Sequence, residues 1–480
     1  MLVFVLLMYA CLDARTSNGF PTATETSLLT RANSTVINIP TLNNSSCPDI
    51  DNCRTLYDIV WSSLATIFAC VWTAVHRNIP RPSQRRLLRM SEMARVMLVT
   101  LLVPEWVLAW AVRQFLNARN VGKELEAARA EAERSWEEKG RWRLSGGGSL
   151  NNVDRTGQAG PGSQEDCHLV HDCSALEDAY GAGRMGSKWT TRHGFFIIMG
   201  GLHFFEKGVP RHPLSSKDVV ELVKTGALVP PTEDEIELLS QGDALSKTIA
   251  VLQTLWFVVQ YIARRVQGLP IAQIEVMTLA YTTITVAMYA FWWYKPLNVG
   301  GPIRVTGKTL PEPEPAKSKE GQLMTAEVIL GTHDNFVDLR QMDCAPTFYG
   351  GAAVLAVGDN AFLADVVALV AAMVFGAVHC LAWSYVFPSK AETLLWRMSS
   401  SAIIAVPGSL VIATLVAVCV TNTALETVGG LSIALTFIIA GPVYIAARLV
   451  LLALSFSSLR TLPTGVYQTV QWTIRIPHFS

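Results

Sequence analysis

From Ala361 to Pro388 the chain reads AFLADVVALVAAMVFGAVHCLAWSYVFP, an apolar run long enough to cross a bilayer as one helix. Ala364, Ala368, Ala371, Ala372, Gly376 and Ala377 keep parts of that helix thin. Small residues let neighbouring transmembrane helices approach closely, so the run belongs inside a bundle. Further candidates follow the same rule at about Leu56 to Val75, Val96 to Val112, Ser246 to Ala263, Ile271 to Tyr294, Ala402 to Val420 and Leu431 to Ser455. Together they predict an all-α polytopic membrane protein of about seven transmembrane helices with a polar, partly flexible insert. Composition agrees: 50% hydrophobic and only 16% charged residues are outside the range of an ordinary soluble chain of 480 residues. Lys+Arg and Asp+Glu balance at 39 each, and no basic stripe with interleaved aromatics offers a nucleic acid a footprint.

The first residues, MLVFVLLMYACL, are apolar over too short a length to span and lead into polar DARTSNGF, the pattern of a signal peptide over 1–19. No Lys or Arg precedes the apolar core, so an uncleaved anchor stays open. Residues 20–55 form a lumenal or extracellular segment. It holds acceptor triplets at Asn33, Asn43 and Asn44, and Cys47 and Cys53 flank a polar stretch where oxidation to a disulfide is expected.

A first membrane hairpin covers 56–112. Its loop carries Arg77, Arg81, Arg85, Arg86 and Arg89 without an acidic residue, which places it in the cytoplasm. The second arm contains Pro104 and Glu105 and either spans with a kink or dips in and returns. Residues 113–245 form the polar insert. It opens on a solvated Ala/Glu/Arg helix from Asn117, continues through a Gly/Ser linker at Ser145 to Gln164, and includes an amphipathic helix capped at Ser216. A second hairpin at 246–294, a Pro/Glu-containing connection at 295–360, a three-helix segment at 361–455 and a tail at 456–480 complete the order. With seven spans, Arg264, Lys390, Arg397 and Arg460 fall inside with the tail; if the Pro104 arm does not span, every later element inverts.

WTTRHGFFIIMGG at Trp189 to Gly201, GLPIAQIEVMTLAYTTITVAMYAFWWYKPLNV at Gly268 to Val299 and HCLAWSYVFPSKAETLLWR at His379 to Arg397 resemble a large family of fungal multi-pass integral membrane proteins of unknown function. The resemblance implies a fungal source and carries over no catalytic residue.

A charge in hydrocarbon needs a partner or a water-filled cavity, so intramembrane ionisable residues are the functional candidates. They are Glu105, Asp365 and His379, with Asp58 and Arg448 nearer span ends, where they reach the interface. Asp365 and His379 share a helix face but stand about 21 Å apart along it, too far for a dyad. Cys167, His168, His171, Asp172 and Cys173 have zinc-ligand chemistry on one short turn that surrounds an ion poorly, so no metal is assigned. Trp292, Trp293 and Tyr294 read as an interfacial anchor. No cofactor motif is present, and the cofactor stays unknown. With no nucleophile elbow, HExxH or Walker sequence, the leading expectation is a binding, sensing or accessory protein of the secretory-pathway membranes. Its partners are the lipid bilayer and a small apolar or amphipathic ligand; protein partners are unknown. The alternative is a membrane-embedded enzyme acting on a lipid or terpenoid-like substrate through Glu105, Asp365 or His379.

Overall fold

The computed structural model describes residues 53–81, 84–145, 188–240, 243–306, 334, 337–351, 357–419 and 423–471. The expected signal peptide, the acceptor sites Asn33, Asn43 and Asn44, Cys47, the Gly/Ser linker and the Cys167 to Cys173 stretch lie outside them. Helices dominate. Five are long and apolar enough to cross a membrane, and the bent pair Arg86–Leu102 and Pro104–Ser135 would be a sixth if it formed one span.

The post of the bundle is α8 (Gln273–Trp292), buried over 72% of its apolar window against 33–39% for the other four. Its side chains are mostly apolar or threonine and buried on all but one stripe, where Val286 and Ala290 are exposed. Against it pack α1 (Leu56–Ala74), α3 (Pro104–Ser145), α7 (Asp243–Val266), α9 (Val357–His379) and α11 (Thr423–Ser457); α10 (Lys390–Cys419) closes the far side between α9 and α11. Of the small residues of α9, Ala364, Ala368, Ala372 and Gly376 are buried, Ala371 is half-buried and Ala377 is exposed. At Gly376 a Cβ would stand 2.6 Å from the Ile404 side chain, so α9 and α10 approach too closely there for any larger residue.

Two ends of the bundle are distinguishable by contact. At one, Arg54 before α1 holds Glu275 at the start of α8 at 2.6 Å, and its amide donates to Tyr467 O at 2.7 Å. Arg264 at the end of α7 donates to Gln468 O at 2.6 Å and Pro270 O at 2.7 Å. We call this the tail end. At the other, the cap end, His76 and Asn78 beyond α1 meet Lys295 beyond α8.

The Pro104 arm does not continue straight. α2 (Arg86–Leu102) and α3 meet at 109° across Val103. Proline supplies no N–H and suits the first turn of a helix, so α3 starts where α2 stops. From Pro104 the helix runs unbroken past Asn117, where a separate solvated helix was expected. The change to Ala/Glu/Arg composition marks where the helix leaves the bundle, with no breaker to end it. Nor is that extension solvated all round: Ala118, Val121, Leu125, Ala128 and Ala132 form one buried stripe.

The stripe is covered by a small cap. α4 (Thr191–Ile198) crosses α3 so tightly that a Cβ on Gly194 would lie 2.0 Å from Ala118 O. The insert is not purely helical: β1 (Leu202–Glu206) pairs antiparallel with β2 (Val209–Pro213) and parallel with β3 (Ile303–Val305), giving the order β2-β1-β3. α5 (Ser216–Lys224) and α6 (Glu233–Leu239) complete the cap. The cap of α5 is Ser215, one residue earlier than expected, because Asp218 at the third helical position answers its backbone N–H.

Candidate intramembrane site

Ending α2 at Leu102 beside a proline leaves its last carbonyls without helical N–H donors. In hydrocarbon each must find another. Leu101 O accepts from the Tyr281 hydroxyl of α8, and Leu102 O accepts from Arg448 Nη1 of α11 at 3.2 Å. Arg448 is 5% exposed. Its side chain is buried within the bundle. Its Nη2 stands 3.3 Å from Glu105 Oε2, and its guanidinium lies over the Phe375 ring at 3.9 Å, with the Tyr444 ring at 5.6 Å. Glu105 therefore has a countercharge supplied by the last helix of the bundle.

Next to this pair is a hollow between α8, α9 and α11, lined by Met277, Tyr281, Phe375, His379, Arg448 and Leu451 and large enough for one water-sized group. His379 is fully buried, and one of its nitrogens, Nδ1, is 2.8 Å from Phe375 O. A carbonyl only accepts, so Nδ1 carries the proton and Nε2 presents a bare lone pair. Nε2 has no hydrogen-bond partner, and neither does Arg448 Nε. Of the three sequence candidates, Glu105 and His379 thus come to one cluster through Arg448.

Asp365 belongs elsewhere. It faces Arg113 of α3 at 3.9 Å near the cap end of α9. Arg113 is 2% exposed, and none of its guanidinium nitrogens is hydrogen-bonded. Asp334 accepts from Gly350 N at 3.0 Å beside it. Burial pushes the Asp334 carboxyl up to about 7, against the pull of the Gly350 N–H and the Arg113 charge.

A third polar group went unnoticed in the sequence. Lys295 is fully buried, and its Nζ donates to His76 O, to Gln114 Oε1 at 2.7 Å and to Asn78 Oδ1 at 3.2 Å. The faces of Trp110 and Trp292 lie 4.8 and 5.0 Å from it. Burial drives its pKa well below the ordinary lysine value; three acceptors and two π-faces oppose that by favouring the ammonium. Gln114 also accepts from Trp292 Nε1 at 2.9 Å and donates to Tyr349 O at 2.8 Å and Asn78 Oδ1 at 2.9 Å. Trp292 is accordingly a core residue, while Trp293 and Tyr294 are half exposed as the anchor reading expects.

Cys53 is disulfide-bonded, and its partner lies outside the described residues. Asp58 caps α1 with Thr55, a structural task. Among the described residues no group of three or more His, Cys, Asp or Glu is placed to hold a metal ion.

A family model matches residues 25–150 and 164–360, a region that includes Glu105, Arg113, Lys295 and Asp334 and stops short of His379 and Arg448. No curated protein and no solved structure matches the chain. The match covers well over half of the sequence, and the chain belongs to the family of unknown function DUF8562.

Proposed function

We propose that the chain is a bilayer-embedded binding or sensing protein whose polar centre receives the head of a small amphipathic molecule. The observation that carries this reading is unspent hydrogen-bonding capacity, on His379 Nε2 and Arg448 Nε, in a hollow inside a helix bundle. Buried polar groups are normally satisfied, and an unsatisfied one costs about 1–3 kcal/mol. Catalysis is less well supported. Glu105 is engaged by Arg448 and Asp365 faces Arg113, so neither carboxylate is disposed as the acid or base partner of His379. In purified protein in nanodiscs, at least one of hexadecanol, palmitate, a sterol and a diacylglycerol slows amide exchange over residues 103–107. If none does while partitioning into the disc, the reading fails.

On this reading the five apolar helices α1 and α8 to α11 cross the bilayer together with the less apolar α7, which runs from Lys247 near Trp293 O at the cap end to Arg264 at the tail end, and α2 with α3 enters from the cap end and returns to it, making six spans. The pairing of Arg54 with Tyr467 supports a shared side for the N-terminal segment and the tail, and the disulfide at Cys53 suits the lumen or exterior. The arginine-rich loop after α1 then lies in the cytoplasm with the cap. Arg264, Lys390, Arg397 and Arg460 oppose this arrangement by loop charge; of these, the guanidinium of Arg264 is taken up by the carbonyls of Pro270, Val466 and Gln468, and that of Arg397 by Trp383 O. Acceptor triplets engineered into 145–165 are expected to stay unglycosylated in microsomes, whereas one placed after Gln471 is modified. Glycosylation within 145–165 would restore seven spans.

A further inference from the structure

We infer that the hollow between α8, α9 and α11 is a receptor for a hydroxyl group, so that the protein's ligand is an amphipathic alcohol. This rests on the binding reading above and narrows it to one head chemistry. The argument is a count of donors and acceptors. His379 donates Nδ1–H to Phe375 O at 2.8 Å, which leaves Nε2 able only to accept. Arg448 can only donate: Nη1 is spent on Leu102 O and Nη2 faces Glu105 Oε2 at 3.3 Å, while Nε hydrogen-bonds to nothing. A guest that satisfies both must give one hydrogen bond and take another through the same small group. A hydroxyl does both. An ether, ester or ketone oxygen takes but cannot give, leaving Nε2 unpaired. An ionised carboxylate also cannot give to Nε2, and it would add a second negative charge beside Glu105, which already stands 3.3 Å from Arg448. Phosphate and choline heads exceed a space that admits one water-sized group. The rest of the lining, Met277, Phe375 and Leu451, is apolar, and these side chains must part to seat the carbon that carries the hydroxyl.

Water has the same hydrogen-bonding pattern and is the rival occupant, so the test must separate a hydroxyl on a chain from water. The full-length protein in nanodiscs is irradiated with three clickable probes that carry a chain diazirine: a hexadecanol, its methyl ether and a palmitate. The alcohol is expected to label peptides of α8, α9 and α11 saturably, with competition by unlabelled hexadecanol, at about tenfold lower concentration than the ether, the worth of one buried hydrogen bond. His379→Phe should bring the alcohol down to the level of the ether, and His379→Gln, which restores an acceptor, should recover part of the difference. Equal saturable labelling by alcohol and ether, or a preference for palmitate, overturns the hydroxyl assignment and leaves the binding reading standing. Absence of saturable labelling by all three overturns both and gives the hollow to water. Should His379→Phe fail to give monodisperse protein, the alcohol-to-ether ratio of the unaltered protein decides.

Discussion

Replacing Lys295 by methionine should lower the thermal midpoint of the protein in nanodiscs by on the order of 5 °C, nearly as much as replacing it by alanine. Methionine keeps most of the stem that fills the space between Trp110 and Trp292, so the packing loss is small. What disappears is the donor. His76 O loses the Lys295 hydrogen bond, and Gln114 Oε1 keeps only Trp292 Nε1. Stranding buried acceptors while removing a charge-assisted bond costs about 3 kcal/mol. The loss is expected to spread because the box joins four pieces of chain. His76 and Asn78 follow α1, Trp110 and Gln114 lie on α3, Trp292 and Lys295 end α8, and Tyr349 O accepts from Trp110, Gln114 and Asn78 together. Trypsin sensitivity of the cap is a second readout, since α3 carries the stripe on which α4 sits. A Lys295→Met midpoint equal to that of the unaltered protein, with Lys295→Ala low, would show that the box acts by packing alone.

The visibility of these groups in the sequence followed from the range of the interactions that hold them. Glu105 and Arg448 stand out because charges are rare in apolar runs. Their pairing does not, because 343 positions separate them and nothing local sets which helix faces which. Arg448 reads as near a span end only if the last span stops at Ser455; the helix continues to Ser457 and a further turn carries the chain to Thr461, which adds helix beyond the arginine. Lys295 directly follows the aromatic end of α8, where a lysine ordinarily reaches for headgroups. Its actual partners include a backbone carbonyl and the side-chain amides of Asn78 and Gln114 from distant parts of the chain, which no spacing rule reveals. The strands were equally hidden. LHFFE is short and lacks a strict apolar–polar alternation, and its parallel partner Ile303–Val305 arrives a hundred residues later, beyond the reach of local pattern. The helix pattern, by contrast, is written every few residues: α1, α5, α8 and α9 lie close to where periodicity and apolar length place them.

The largest non-additivity in the molecule is expected at Glu105 and Arg448. Arg448→Met alone should cost about 3–5 kcal/mol, because it leaves the Glu105 carboxylate unpaired in the bundle and takes the donor from Leu102 O. Glu105→Gln alone should cost less, about 1–2 kcal/mol, since Arg448 retains Leu102 O, the Phe375 face and a neutral amide beside it. Combining Arg448→Met with Glu105→Gln removes both charges. The double variant should then be more stable than Arg448→Met alone, with a coupling of about 2 kcal/mol that thermal midpoints of the four proteins in nanodiscs would measure. It should not recover fully: the carbonyl of Leu102 is still without its donor, and that deficit belongs to the bend between α2 and α3. Accessibility of a cysteine placed at Val103 separates the two parts. If the ion pair sets stability and the carbonyl cap sets the hairpin, the double variant regains part of the midpoint lost by Arg448→Met while the cysteine reacts faster than in the unaltered protein. A double variant no better than Arg448→Met would mean that the arginine is there for the broken helix, and that Glu105 is the residue it tolerates.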